Sequence, residues 1–510
     1  MPAFLMGVAA PAETVDLLIR GGLVHTGSAA PFVGDVAVSG DRIHAVGRRL
    51  GMTARTIIKA RGLVVAPGLI DPHTHVDKDL ASDAAHARLV PAFLLQGVTT
   101  AMIGNDGAGD PGVAAILGRA SSRPVGINFA AFAGFGAIRT KVIGEADRAP
   151  TRAELARMKT MVGQAMCDGA IGFSTGLFYA PQSFARTGEV VALAKEAASR
   201  GGIYDSHIRD ESTYSIGLLA AIDEALAIGR EARLAVNISH IKALGVDVEG
   251  QAPLVIARIE AARRAGQRVT ADQYPWSASG TTLIGALIPA WAQAGGRGAL
   301  LARLDHARLA RRLRADISEN LRKRGGAGAL LIKAGAYKGR TLDEAAKARR
   351  EDPVAAAMSI VRQADPTVAS FNQSERDIKV FMRRPWVMTS SDGSPGHPRL
   401  FGSFARKYAK YVVAERVLTP RQFIERSSTQ TATTFGLAGR GSLTLGAFAD
   451  IILFDPKRYA ARATYEQPEL AAAGVRTVIV NGVVAVHDGK LTGAAAGRAL
   501  RHEPTPGSCP

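Results

Sequence analysis

The sequence predicts an α/β protein: a (β/α)8 TIM-type metallo-barrel with a small β-sandwich-like domain formed by both termini. Three observations predict it. Short apolar strands alternate with amphipathic helices through the middle of the chain, as a parallel sheet requires. Both ends give glycine-broken runs with strand alternation instead. Several middle strands finish on histidine or aspartate, at the end where such barrels carry their chemistry.

At the N-terminus, "VDLLIRGGLVH", "GDVAVSGDRIHAVG" and "RTIIKARGLVVAPG" read as a meander of antiparallel strands, after a start, "MPAFLMGVAAPAE", that reads as a short disordered tail without a Lys/Arg-rich leader. The far end mirrors it in "GSLTLGAFADIILFDP" and "VRTVIVNGVVAVHDGK". Between them the barrel strands are "GLIDPHTH", "GVTTAMIGNDG", "GINFAAFAGF", "GAIGFSTG", "GIYDSHIRDE", "LAVNISHIKA", "RVTADQYPW" and "WVMTSSDG", eight in all. One wall helix is plain in "SIGLLAAIDEALAIGREA", where Ile216, Leu219, Ile222 and Leu226 make an apolar stripe. Residues 1–65 and 437–510 are expected to build the small domain and 66–436 the barrel, with a helical insertion over about 281–385 capping the mouth.

Composition narrows the class. A chain of 510 residues exceeds one ordinary core. With 47% apolar residues it is globular, and no apolar run approaches the roughly 20 residues of a membrane span. Two cysteines, Cys167 and Cys509, give neither a disulfide framework nor a zinc module, so cytoplasm is the default compartment. The net charge of +18 could serve nucleic acid, but the basic residues are scattered. The densest block, "ARLARRLRADISENLRKR", carries acids at helical spacing and reads as a solvated helix face. The expected partner is a small anionic molecule, with no nucleic acid and no membrane; self-association stays open.

The strand ends carry the chemistry. His73 and His75 stand two apart, so on an extended strand both face one side. Asp106 ends the second strand, His207 the fifth, His240 the sixth and Asp392 the eighth. One histidine means little, but four of the chain's eleven fall at strand ends. Imidazoles with carboxylates suit zinc, which lowers the pKa of bound water from about 15.7 to roughly 7. Asp106 is the candidate to bridge two ions, although "ND" before glycine is also good turn chemistry. Asp392 is placed to take the water's proton and pass it to the leaving amine. On the loops, Tyr274 and Ser279 face the mouth or merely anchor "YPWSASGTTL", and Arg399 is a candidate for a substrate carboxylate.

These residues match a known pattern. "GLIDPHTHVD", "GAIGFSTGLFYAP", "SHIRDE", "ISHIKALG", "DQYPWSASGTTL" and "SSDGSPGHPRLFGSF" resemble, in order and over nearly the whole chain, the D-aminoacylase (N-acyl-D-amino-acid deacylase) group of the amidohydrolase superfamily. The resemblance implies metal ligands at His73, His75, His207 and His240, and Asp392 as acid/base. It implies that Tyr179 and Lys242 bind the substrate's α-carboxylate; otherwise they are a rim aromatic and a solvated lysine. Many members carry a bridging cysteine where this chain has Asp106, a harder ligand that leaves the count at one or two Zn²⁺ and tolerates Mn²⁺ or Co²⁺. No lysine ends one of the first five strands, so a carboxylated-lysine bridge has no candidate.

The expected activity is metal-dependent hydrolysis of N-acyl amino acids. The alternatives are a cyclic amidohydrolase of hydantoinase or dihydroorotase type, and a non-catalytic basic nucleic-acid-binding or scaffold protein. The sequence does not choose between D and L substrates.

Overall fold

The strands that read apolar on both faces are the ones the fold buries. The computed structural model describes residues 14–509, so the expected N-terminal tail lies outside the described residues. Leu69–Asp71, Val98–Ile103, Asn128–Gly134, Gly172–Gly176, Ile203–His207, Val236–Ile238, Val269–Gln273 and Val387–Thr389 pair in parallel, each with the next, as one eight-stranded sheet. The last strand returns to the first through a parallel bridge between Thr74 and Gly393. Beside that bridge, Asp392 N–H donates to His73 O at 3.0 Å. The barrel therefore closes at its C-terminal rim, between two segments that carry expected ligands.

Its interior is packed rather than open. Ile70, Met102, Ala130, Phe132 and Met388 fill it, and Phe435 and Leu437 plug the base. Outside, the helix Leu218–Ala232 lays Leu218, Ala221, Ile222, Ala225 and Leu226 on the wall. The expected stripe was offset: Ile216 is 46% exposed, because Gly217, at φ 84°, turns the chain just before the helix begins. Gly229 lets this helix approach the sheet, since a Cβ there would meet Val236 Cγ2 at 2.1 Å. The helix Arg152–Cys167 starts on a capping box between Thr151 and Glu154.

Both ends of the chain share a nine-stranded sheet, joined where Ile451–Phe454 pairs antiparallel with Val64–Pro67. The expected antiparallel meander holds for Thr14–Val24, Phe32–Ser39 and Arg42–Gly47. Thr53–Lys59 and Val64–Pro67 depart from it, both pairing in parallel with Thr14–Val24 after a crossover. Val64–Pro67 feeds the first barrel strand through Gly68 alone, which ties the two sheets together.

The segment between the seventh and eighth barrel strands has its own core, including Leu283, Leu300, Leu313, Ile317 and Leu342. Besides the expected helices it contains a three-stranded antiparallel sheet of Ala278–Thr282, Thr367–Phe371 and Leu330–Ile332. These strands are too short for periodicity to separate from loop. The basic helix Ala307–Lys323 buries Leu313, Ile317 and Leu321 and pairs much of its charge with nearby acids, as in Arg314–Asp352 and Arg322–Asp247.

The C-terminal tail runs beneath the barrel. Phe129 N–H donates to Arg498 O and Leu500 N–H to Phe129 O, at 3.0 and 2.7 Å. The two cysteines are joined there: Cys167 bonds to Cys509, 342 residues away in sequence. Spacing alone could not pair residues so distant. No helix among the described residues is long and apolar enough to cross a membrane.

Candidate active site

At the C-terminal rim lies a cavity of about 760 Å³, within the usual range for small-molecule sites. Asp106 is its hub. Its Oδ1 stands 3.3 Å from His73 Nε2, 3.4 Å from His207 Nδ1 and 3.5 Å from His240 Nε2. Its Oδ2 stands 3.6 Å from His75 Nε2. Asp392 Oδ1 lies 3.1 Å from His75 Nε2 and 3.9 Å from His73 Nε2. The structure thus brings together all six residues expected as ligands. Asp106, His240 and Asp392 hold left-handed backbone, at φ 57°, 35° and 47°, a conformation uncommon for non-glycine residues though enriched among Asp and His.

The donor set fits a metal. Both ring nitrogens of His73 and of His207, and Asp106 Oδ1, are buried without a hydrogen-bond partner. Buried polar atoms are seldom left so, whereas several imidazoles and carboxylates converging on one point are the ligand set of a first-row ion. Four overlapping groups among the described residues have this character: His73–Asp106–His240, His73–His75–Asp392, His207–Glu211–His240 and His73–Asp205–Asp272. Electrostatics agree. Burial lowers the His73 imidazole, but Asp106 and Asp392 override it and raise its pKa to about 10, so these carboxylates demand a cation at that point. Burial pushes Asp106 up, yet His73 and His207 hold it well below the ordinary carboxylate range.

Glu211 was not expected, though it closes the quoted "SHIRDE". Its Oε1 accepts from Lys242 Nζ at 2.6 Å and lies 3.2 Å from His240 Nδ1. A buried carboxylate–amide network was missed as well. Asn237 Nδ2 donates to Asp205 Oδ1 and Asp272 Oδ2, both at 2.8 Å, and Asn105 Nδ2 donates to Asp205 Oδ2 at 3.0 Å. Asp272 Oδ1 in turn accepts from His240 N–H at 2.9 Å. The signal for Asp205 was its place two before His207, hence on the same strand face. Burial pushes Asp205 up to about 6 and Asp71 to about 7. Such partners orient ligands and tune their basicity.

The expected substrate residues all line the cavity. Tyr179 packs on the His207 ring at 4.9 Å between centroids. Lys242 is engaged, since its Nζ also lies 2.7 Å from His240 Nδ1. Tyr274 stands between two cations, with Lys242 Nζ 5.6 Å and Arg399 Cζ 5.0 Å from its ring centroid. Ser279 Oγ donates to Asn372 Oδ1 at 3.0 Å, so it anchors its loop while facing the cavity. Arg399 Nη1 pairs with Asp392 Oδ2. The apolar residues of the insertion pack its own core: Leu283 and Ile288 sit in it, with Trp291 against them.

Comparison with known proteins gives the family. The amidohydrolase family model (Amidohydro_3) matches residues 56–486. A D-aminoacylase of Alcaligenes xylosoxydans xylosoxydans is 33% identical, over 96% of this chain and 98% of its own. An N-acyl-D-glutamate deacylase of the same organism is 32% identical, over 96% and 97%. The crystal structure of N-acyl-D-glutamate deacylase from Bordetella bronchiseptica, complexed with zinc and a phosphonate mimic of the tetrahedral intermediate, superposes with a TM-score of 0.82 at 32% identity, covering 96% of this chain and all of that one. A family model that matches most of the chain and similarity over its full length have one explanation: the chain belongs to the amidohydrolase family.

Proposed function

We propose that this protein is a metal-dependent deacylase that hydrolyses the amide bond of N-acyl-D-amino acids. The observation that carries the reading is the convergence of four imidazoles on Asp106, beside a cavity whose wall holds Asp392, Arg399, Lys242 and Tyr274. His73, His75, Asp106, His207 and His240 would hold zinc, one ion or two, with Asp106 shared and Mn²⁺ or Co²⁺ accepted in its place. When bound, zinc supplies Lewis acidity and a water acidified to roughly neutral pKa.

The chain's own groups do the rest. Asp392 faces the ligands through one oxygen and Arg399 through the other. It therefore sits ionised, ready to accept a proton from the attacking water and return it to the departing amine. Arg399, Tyr274, Lys242, Ser279 and Tyr179 form the polar wall that receives the α-carboxylate, as cations and hydroxyls suit that group. Fixing the carboxylate there sets which face of the substrate's α-carbon turns toward Asp392. The barrel over residues 66–436 and the small domain from the two ends divide these tasks as site and scaffold.

The partner is a small anion, drawn by the +18 charge; the reading needs no nucleic acid, membrane or second copy. A cytoplasmic location completes it, and the Cys167–Cys509 bond is the observation against that location, because cytosolic pools keep thiols reduced.

The test is hydrolysis by zinc-loaded protein of N-acetyl amino acids in both enantiomers, beside hydantoin and dihydroorotate. Turnover of the D series is expected. Turnover of the cyclic amides alone would replace deacylation by ring opening.

A further inference from the structure

Two arginines line the cavity, and their situations differ. Arg399 is paired with Asp392. Arg324, which caps the helix Ala307–Lys323, is only 2% exposed and has no carboxylate partner among the described residues. Its Nε donates to Ala286 O at 2.9 Å, while its Nη1 is buried with no hydrogen-bond partner. Arginine stays charged in proteins, and a buried charge without a partner is strongly disfavoured. On the cavity wall, Arg324 is placed where an anionic ligand could complete it.

The surrounding acids are already committed. The ring of Tyr214 lies 5.4 Å from Arg324 Cζ, and Asp210, Glu211 and Asp247 act on the same phenol. Asp210 accepts backbone N–H groups from Ser212, Ser215 and Gly217. Glu211 is paired with Lys242, and Asp247 takes Arg322 through both oxygens at 2.8 Å. Lys323 adds a second cation 5.4 Å from the Tyr214 ring, and it is spent on Thr213 O. On the cavity wall the Tyr214 ring stands beside Arg324 and Phe178 packs on that ring at 5.5 Å between centroids, an apolar frame in which a guanidinium–carboxylate pair gains strength.

We propose that Arg324 receives a second carboxylate of the substrate, carried on the amino-acid side chain, so that the preferred substrates are N-acyl derivatives of acidic amino acids. The inference rests on the deacylase reading and deepens it. One anionic end of the molecule meets Arg399, Tyr274 and Lys242, and the other meets Arg324.

The experiment measures kcat/KM of the zinc-loaded full chain, and of its Arg324→Met and Arg324→Lys variants, on N-acetyl-D-glutamate, N-acetyl-D-glutamine, N-acetyl-D-leucine and N-succinyl-D-leucine. The wild type should prefer glutamate over glutamine by at least about 10-fold, and Arg324→Met should cut the glutamate-to-leucine ratio about 100-fold, mainly through KM. Arg324→Lys should restore part of it, because a lysine keeps the charge but not the fork. A folding defect lowers all substrates together and leaves the ratio unmoved. An unchanged ratio with well-folded variants, or a wild type that prefers glutamine or leucine, would overturn the proposal. Dependence on Arg324 for N-succinyl-D-leucine but not N-acetyl-D-glutamate would overturn the side-chain placement and move the second carboxylate to the acyl group. If only cyclic amides react, the deacylase reading fails and this proposal with it.

Discussion

Arg399 Nη1 stands 2.7 Å from Asp392 Oδ2, and both residues are buried. Burial pushes the Asp392 carboxyl up, but the Arg399 guanidinium, helped by His75 and the other imidazoles, holds it far below the ordinary carboxylate range. The pair keeps an ionised carboxylate in a site that would otherwise protonate it.

Asp392→Asn removes the carboxylate proposed as the base while leaving a similar shape. It should keep the bound metal, measured by elemental analysis, and lose about 10²- to 10⁴-fold in kcat. Near-wild-type turnover would take Asp392 out of the proton transfer. His207→Ala, by contrast, should lose metal and activity together.

Asp106 contacts all four imidazoles. Asp106→Cys puts a softer thiolate at the same place and should retain both metal and turnover, with tighter preference for zinc. Asp106→Ala leaves the hub empty and should lower the metal content per chain. Equal metal content in both variants would show that Asp106 is no ligand.

Lys333 is 7% exposed, and burial together with the Arg399 charge pushes its pKa down to about 7, against a smaller pull from Asp392. In the unfolded chain an ordinary lysine holds its proton to about pH 10.4. Between those values the unfolded state binds more protons, so this group's penalty is full below pH 7 and fades as pH rises. Lys333→Met should therefore stabilise the fold by about 2–4 kcal/mol at pH 6 and by much less at pH 10. Thermal melts at the two pH values read the difference, and a gain that does not shrink with pH refutes it.

The Cys167–Cys509 bond ties the tail beneath the barrel. Protein denatured without reductant should show no free thiol. Cys167→Ser should lower the melting temperature by several degrees, since the crosslink closes a long loop in the unfolded chain, and should leave kcat/KM unchanged. Two free thiols before reduction would show that the bond does not form and would remove the objection to a cytoplasmic location.

Some of the site was legible because chemistry and periodicity coincide on a strand. His73 and His75 share a face by their spacing, and His207, His240 and Asp392 stand where strands end. Glu211 and Asp205 were hidden, since an acid just beyond a histidine, or two before it, looks like any loop or strand carboxylate until neighbours bury it. The helix Leu218–Ala232 was legible as a helix, but its start was not, because only the positive φ of Gly217 places Ile216 outside it.

By itself the sequence determined the alternation of strand and helix, the residue types at the strand ends, and the family they resemble, because each is local and survives reading in one dimension. Tertiary structure alone decided that Asp106 lies among four histidines, that Cys167 meets Cys509, and that Arg324 is buried with its Nη1 unpartnered. The reason is physical. Burial and pairing are relations between residues tens to hundreds of positions apart, and they exist only once the chain has folded to bring them together.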